Sequence, residues 1–239
     1  MPHAWTAGAK RQLLRGQLVA MEDAGTVVIG IALPPFCCPP RPYERIPLIA
    51  HYLKTEKPKS KIMVLDAQDA FAKQDLFEEA WVRFYPGLIG RVPVADSGAV
   101  VSVDPAVMRV LTGFDDITAA AANIIPPQKA AQIVIDAGLD GGLGWCPVEP
   151  VGFESTVALD VYILRDAAIP RCRADRRHAE IGLFGECSGQ DGRLCHVAKL
   201  RGETTKPTKL INVCYSLGAP DWCFPVQTCL PKGQTRSRC

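Results

Sequence analysis

The stretch from Thr26 to Asp66 constrains the fold more than any other part of the chain. Thr26-Val27-Val28-Ile29-Gly30-Ile31-Ala32 is a short, β-branched apolar run, the form taken by a strand buried on both faces. A proline-rich loop follows from Pro34 to Pro42, and Tyr43 to Lys54 then sets Ile46, Ile49, Ala50 and Leu53 at helical spacing. Lys61-Ile62-Met63-Val64-Leu65-Asp66 reads as a second buried strand. Strand, helix and strand within about 40 residues predict a βαβ unit with parallel strands and a right-handed crossover. The expected fold class is therefore α/β, with a Rossmann-like middle domain.

A βαβ unit that ends in an acidic residue invites a dinucleotide-binding reading, because Asp66 stands where a ribose-binding carboxylate would. The glycine fingerprint that such a site needs is missing. Where G-x-G-x-x-G would bring the backbone close to a pyrophosphate, this chain reads Pro34-Pro35-Phe36-Cys37-Cys38-Pro39-Pro40. Prolines also remove the amide donors a phosphate requires. The residues thus predict the architecture without the nicotinamide ligand.

Around this unit, Ala9 to Met21 is an amphipathic helix through Leu13, Leu14, Leu18 and Met21. Val92 to Val110 alternates in short runs that suggest an antiparallel excursion. Ile117 to Ile125 is strand-like, and Pro126-Pro127 ends it. Gln128 to Ala137 reads as a helix closed by Gly138, and Val161 to Leu164 as a buried strand. Beyond Ile169 the character changes: Pro170 to His178 is rich in arginine, and no hydrophobic period survives through His196. Trp222 to Cys239 shows no pattern either.

Composition removes several function classes. The 27 Lys and Arg against 25 Asp and Glu leave a formal charge of +2, so no basic excess argues for nucleic acid or an anionic membrane surface. No stretch reaches the roughly 18 consecutive apolar residues of a membrane span. Ten cysteines are many for a cytosolic enzyme and few for a small disulfide scaffold. The pairs Cys187…Cys195 and Cys223…Cys229 lack C-x-x-C spacing and paired histidines, so no metal site is expected.

Six strings carry a resemblance. They are Pro2-His3-Ala4-Trp5, then Phe36-Cys37-Cys38-Pro39-Pro40-Arg41-Pro42-Tyr43-Glu44-Arg45, then Ile125-Pro126-Pro127-Gln128-Lys129. Gly144-Trp145-Cys146-Pro147-Val148, Phe153-Glu154-Ser155-Thr156 and Asn212-Val213-Cys214-Tyr215-Ser216-Leu217 follow in order. Together they resemble the flavoprotein subunit of flavocytochrome c sulfide dehydrogenase, a two-dinucleotide-fold flavoprotein. The likeness runs from Met1 to about Ile169 and resumes from about Val197 to Asp221. It implies residues 1–130 as an NAD-binding-like middle domain, 131–203 as the returning part of the FAD-binding domain, and 204–239 as a truncated C-terminal domain.

The resemblance also implies chemistry. The family passes electrons from sulfide through a redox-active cysteine pair and FAD to a c-type cytochrome, and by motif the pair is Cys38 and Cys214. Thiol–disulfide exchange explains why cysteine is needed there, since a thiolate leaves readily near neutral pH. Glu44, six residues after Cys38, is implied as the nearby acid/base. Asp166 matches the aspartate of the family's Gly-Asp flavin motif, although Arg165 replaces the glycine. The family setting is periplasmic, and no leader peptide is read in this chain. A sulfide:quinone oxidoreductase is a further reading, but it would need an amphipathic membrane-docking helix near the C-terminus, and none is read.

Each assignment has a plainer rival. Cys38 fits equally a buried small hydrophobe. A Cys38–Cys214 pair fits a structural bridge, worth about 4–5 kcal/mol in the chain-entropy model over so long a loop. Glu44 fits a helix-starting carboxylate stabilised by the dipole. Cys37 is undecided, and Cys146 carries no catalytic role.

Two departures from the family pattern complete the expectations. The family's first βαβ flavin-binding half, with its G-x-G-x-x-G, has no counterpart here, so the chain reads as N-terminally truncated. A non-catalytic fragment that does not hold flavin is then the competing class. Secondly, His178 to Cys187 can be encoded so that a start one base later reads Met-Pro-Lys-Ser-Gly-Phe-Ser-Ala-Asn, as in the family's flavin-facing helix start. Residues 170–196 are therefore expected to be out of frame, with a second slip near Trp222, and the coding DNA decides the point.

Overall fold

The computed structural model describes residues 1–3, 7–36, 38–149, 152–164, 167–170, 195–204 and 210–230, excepting the side chains of 170, 210–212, 214 and 226–230. The chain divides into two compact units, one of 1–33, 40–127 and 215–224, the other of 34–39, 128–214 and 225–239.

The first unit is built on a four-stranded parallel sheet in the order β3-β2-β1-β7. Strand β1 is Thr26–Ile31, β2 Lys61–Asp66, β3 Ile89–Val92 and β7 Ala121–Ile125. Helix α2, Arg41–Glu56, crosses from β1 to β2, and α3, Gln74–Phe84, crosses from β2 to β3. Helix α1, Ala9–Ala20, precedes them. This is the mixed α/β, Rossmann-like architecture that the Thr26 to Asp66 stretch predicts. Five of the six β1 residues are buried, which is why its sequence is a continuous apolar run and not an alternation. α2 tolerates Pro42 in its first turn, where no intrahelical donor is lost, and buries Tyr43, Ile46, Ile49, Ala50 and Leu53.

Between β3 and β7 the chain leaves the sheet for a three-stranded antiparallel one, β4 Ser102–Asp104, β5 Arg109–Leu111 and β6 Asp116–Thr118. The return strand β7 is a sheet edge, and it is covered. Its Ala122 amide donates to Gln17 Oε1 at 3.3 Å, and its Ile124 amide donates to the Pro2 carbonyl at 3.1 Å.

The last part of the first unit is the tip of a hairpin, β10 Leu210–Ala219 with β11 Trp222–Leu230. The tip packs on α3. Phe224 meets Phe77 edge-on with ring centroids 4.9 Å apart, and Trp222 lies 5.5 Å from Phe84. A Cβ at Gly218 would fall 2.5 Å from the Trp222 ring and 2.8 Å from Ala80 Cβ, so only glycine lets the strand lie this close. Residues 222–230 are therefore not the patternless tail the sequence suggests. Trp222 and Phe224, two apart, put their rings on the side that α3 covers.

In the second unit α4 is Gln132–Asp136, and β8 Cys146–Val148 pairs in parallel with β9 Ala168–Pro170. The helix expected over 128–137 is shorter because the Ala130 amide donates to the Gly144 carbonyl at 2.8 Å and holds the preceding residues extended. It does end at Gly138, with φ +67. The strand expected at Val161 to Leu164 is instead one bridge, Tyr162 to Glu154. Phe153 and Asp160 both adopt φ of +60, and these left-handed turns leave too little extended chain for a ladder. A helical segment at 195–200 lies at the edge of the stretch expected to be irregular. Residues 171–194, which hold most of that stretch, lie outside the described residues.

Among the described residues no helix is long and apolar enough to cross a membrane.

Candidate functional site

In an open parallel sheet a ligand binds at the carboxyl ends of the strands, where the strand order reverses. Here that point lies between β1 and β7, on either side of which the chain winds in opposite directions. At the neighbouring end of β2, the protein's own side chains fill the place where a ribose-binding carboxylate would act.

Asp66, at the end of β2, is wholly buried. Its Oδ2 accepts from the Tyr43 hydroxyl at 3.0 Å and from Arg91 Nε at 2.9 Å, and its Oδ1 accepts from the Gln68 amide at 3.1 Å. Arg91 also donates to the carbonyls of Gln68 and Asp69, at 2.7 and 3.1 Å. Gln68 Nε2 donates to the Tyr43 oxygen at 2.8 Å. Phe71 covers this network. It stacks on Tyr43 with centroids 3.5 Å apart and planes 6° from parallel, and the Arg91 guanidinium lies 5.0 Å from its centroid. Burial, and then the Asp66 charge, push the Tyr43 phenol far above its ordinary range, so it stays a donor. Wholly buried and already holding three protein donors, this carboxylate is not open to a ribose hydroxyl.

Tyr43, Glu44 and Arg45, consecutive at the start of α2, each tie that helix to a different segment. Tyr43 reaches β2 through Asp66. Glu44 Oε1 accepts from the Leu217 amide of β10 at 2.9 Å. Arg45 Nη1 donates to Asn123 Oδ1 at 3.2 Å and to the His3 carbonyl at 3.4 Å. Asn123 is fully buried on β7, and its Nδ2 donates to the carbonyls of Pro2 and His3 at 3.0 and 2.8 Å. Pro2-His3 and Tyr43-Glu44-Arg45, far apart in the chain, thus meet at one place.

Of the residues singled out from sequence, Cys38 is half-buried in the turn before α2. Cys214 is in β10, three residues before Leu217, and its side chain lies outside the described residues, as do Asp166 and Cys37. Cys38 and Cys214 both fall in the second unit, whereas Glu44 and Leu217 fall in the first. Cys146 is fully buried; burial, and then the Asp140 charge, push its thiol up, which makes it a poor nucleophile. Among the described residues no group of three His, Cys, Asp or Glu side chains is arranged to hold a metal ion.

The described residues do not fit the diphosphate of a dinucleotide cofactor at the end of β1. The Pro34-Pro35 and Pro39-Pro40 pairs offer no amides to it, and Asp66 is occupied. Sequence reasoning missed Tyr43, Gln68, Phe71 and Arg91 as the occupants. The placement of Tyr43 on the buried face of the helix, opposite Asp66, was the available signal.

A parallel sheet in this order, with helices crossing from β1 to β2 and from β2 to β3, defines an α/β domain of the Rossmann-like class. Within that class, residues 11–126 match the family described as the sulfide dehydrogenase (flavocytochrome c) flavoprotein chain, central, a span from α1 to the end of β7. The match spans just under half of the chain and likens that span to the central part of a sulfide dehydrogenase flavoprotein chain. The chain is also similar in fold to a chain in the cryo-EM structure of the Tetrahymena thermophila mitochondrial ATP synthase F1Fo tetramer, with a TM-score of 0.59 and 13% sequence identity. That likeness covers 95% of this chain and 55% of the other, and is one of fold alone.

Proposed function

We propose that this chain carries the sulfide-reacting part of a FAD-dependent oxidoreductase that passes electrons from sulfide, through a redox disulfide and flavin, to a c-type cytochrome. The match of residues 11–126 to the flavoprotein chain of sulfide dehydrogenase carries the reading. The reacting pair is Cys38 and Cys214. Hydrosulfide attacks one sulfur of their disulfide; the S–S bond breaks, a persulfide forms on the attacked cysteine, and the other cysteine leaves as a thiolate. The disulfide is reduced by two electrons and the sulfide sulfur is oxidised by two. In the family a bound FAD supplies the acceptor for those electrons. By the resemblance Glu44 is the acid/base of this chemistry; its Oε1 accepts from the Leu217 amide. Asp166 is the residue for the flavin's sugar-alcohol chain, 131–203 and 204–239 are the partial flavin and C-terminal domains, and the setting is periplasmic.

A second reading is favoured by the proline-lined turn after β1: a portion that reacts with sulfide yet does not itself hold flavin. Both readings keep the cysteine chemistry. Hydrosulfide added to the oxidised chain should give a persulfide, a mass gain of about 32 Da on Cys38 or Cys214. The Cys38→Ser and Cys214→Ser variants should give none. Equal persulfide yield in wild type and both variants would refute the pair.

A further inference from the structure

Strands β10 and β11 form a two-stranded sheet, so β10 has an outer edge that no third strand covers. Along one strand of an antiparallel pair, amides point alternately to the partner and away from it. The Leu217 amide donates out of the hairpin, to Glu44 Oε1 of α2 at 2.9 Å, across 173 residues of sequence. The tip beyond it is seated on α3, with Phe224 against Phe77 and Trp222 beside Phe84. The aromatic contacts hold the tip to one helix, and the Glu44 bond gives β10 a second fixed point on another.

Both ends of that bond lie close in sequence to the proposed cysteine pair. Glu44 stands in the first turn of α2, where its own amide donates to the Pro40 carbonyl at 2.9 Å, and Cys38 is two residues before Pro40. Leu217 is three residues after Cys214 on the same strand. A strand rises about 3.3 Å per residue, which puts Cys214 about 10 Å along β10 from the fastened amide. From Glu44 back to Cys38 the chain makes one helical turn, about 6 Å, and two further residues, at most about 7 Å. The cysteines are thus carried on two short arms joined at Glu44. Groups on short tethers meet at a high effective concentration, which falls when the joint is released. A disulfide also needs its Cα atoms about 4.4–6.8 Å apart, so a modest shift of either arm opposes it.

We infer that Glu44 is a positioning residue for the redox pair: its hydrogen bond to the Leu217 amide keeps the strand carrying Cys214 within reach of the turn carrying Cys38, and so favours the disulfide that hydrosulfide attacks. This role rests on the Cys38–Cys214 reading and is separate from proton transfer, because the carboxylate serves only as an acceptor. Glutamine presents an acceptor oxygen at the same reach without a titrating proton. Alanine removes the acceptor, and it suits a helix and leaves no void at this half-buried position.

The test is the redox equilibrium of the pair in the full-length chain. Oxidised glutathione takes two electrons from the two thiols, giving the Cys38–Cys214 disulfide and two molecules of reduced glutathione. After equilibration over a range of glutathione ratios, acid quench and alkylation, peptide mapping gives the linked fraction. Glu44→Gln should stay within about 2-fold of the wild-type equilibrium constant. Glu44→Ala should fall at least about 5-fold below it, a potential raised by about 20 mV. A Glu44→Ala value equal to wild type, or a loss in Glu44→Gln as large as in Glu44→Ala, would overturn the positioning role and leave the pair standing. A wild-type chain with no Cys38–Cys214 linkage at any ratio would overturn the pair itself.

Discussion

Asp66→Asn should lower the midpoint of thermal unfolding by on the order of 10 °C, the consequence of leaving a guanidinium buried without its counter-charge. The Arg91 side chain is 9% exposed and Asp66 is 0% exposed, so the pair is shielded from water and from salt. Removing one member of a buried pair typically costs about 3–5 kcal/mol. The substitution also turns a carboxylate with three donors into an amide whose nitrogen faces one of them. Asp66→Asn/Arg91→Gln, which removes the charge as well as its partner, should recover part of the loss. Differential scanning calorimetry of the three proteins decides the matter. A shift of less than about 2 °C for Asp66→Asn would show that the network adds little to the sheet it closes.

The chain expressed by itself should purify without stoichiometric flavin. Holding FAD requires backbone amides against the diphosphate and a carboxylate for a sugar hydroxyl. No stretch of the 239 residues reads G-x-G-x-x-G, prolines occupy the turn after β1, and Asp66 is taken by Tyr43, Arg91 and Gln68. The absorption spectrum of the purified chain should therefore lack the flavin bands near about 370 and 450 nm. A yellow protein with a flavin-to-chain ratio near one would overturn this and favour the complete electron-transfer reading.

The parts of the fold legible in sequence are those whose burial follows from local spacing. β1 and β2 are continuous apolar runs, and α2 repeats its buried residues every three or four positions, so neither needs knowledge of its neighbours. α3 carries the same signal in Phe77, Ala80 and Trp81 but begins after Lys73, at φ +62 and without a side-chain cap, so nothing marks its start. The β10–β11 hairpin was hidden for a different reason. Its tip is held by Phe77 and Phe84 of α3, well over a hundred residues away, and the local text of Trp222 to Leu230 includes a proline and few β-branched residues.

The candidate site divides in the same way. The lack of phosphate-binding amides after β1 was legible, because glycine and proline determine it residue by residue. That Tyr43, Arg91 and Phe71 fill the strand end was not, since those residues meet only once the sheet is assembled. The motif Tyr43-Glu44-Arg45 was visible as a string, and the structure gives its physical content: three neighbouring side chains fastening α2 to β2, β10 and the N-terminal segment.

The cysteine pair is the centre of the functional account, and a peptide map of the unreduced, alkylated full-length chain tests it most directly. The account predicts one linked peptide joining Cys38 to Cys214, which disappears when hydrosulfide is added. Recovery of Cys38 and Cys214 as separately alkylated thiols from the oxidised chain, or linkage of either to another cysteine, would contradict it.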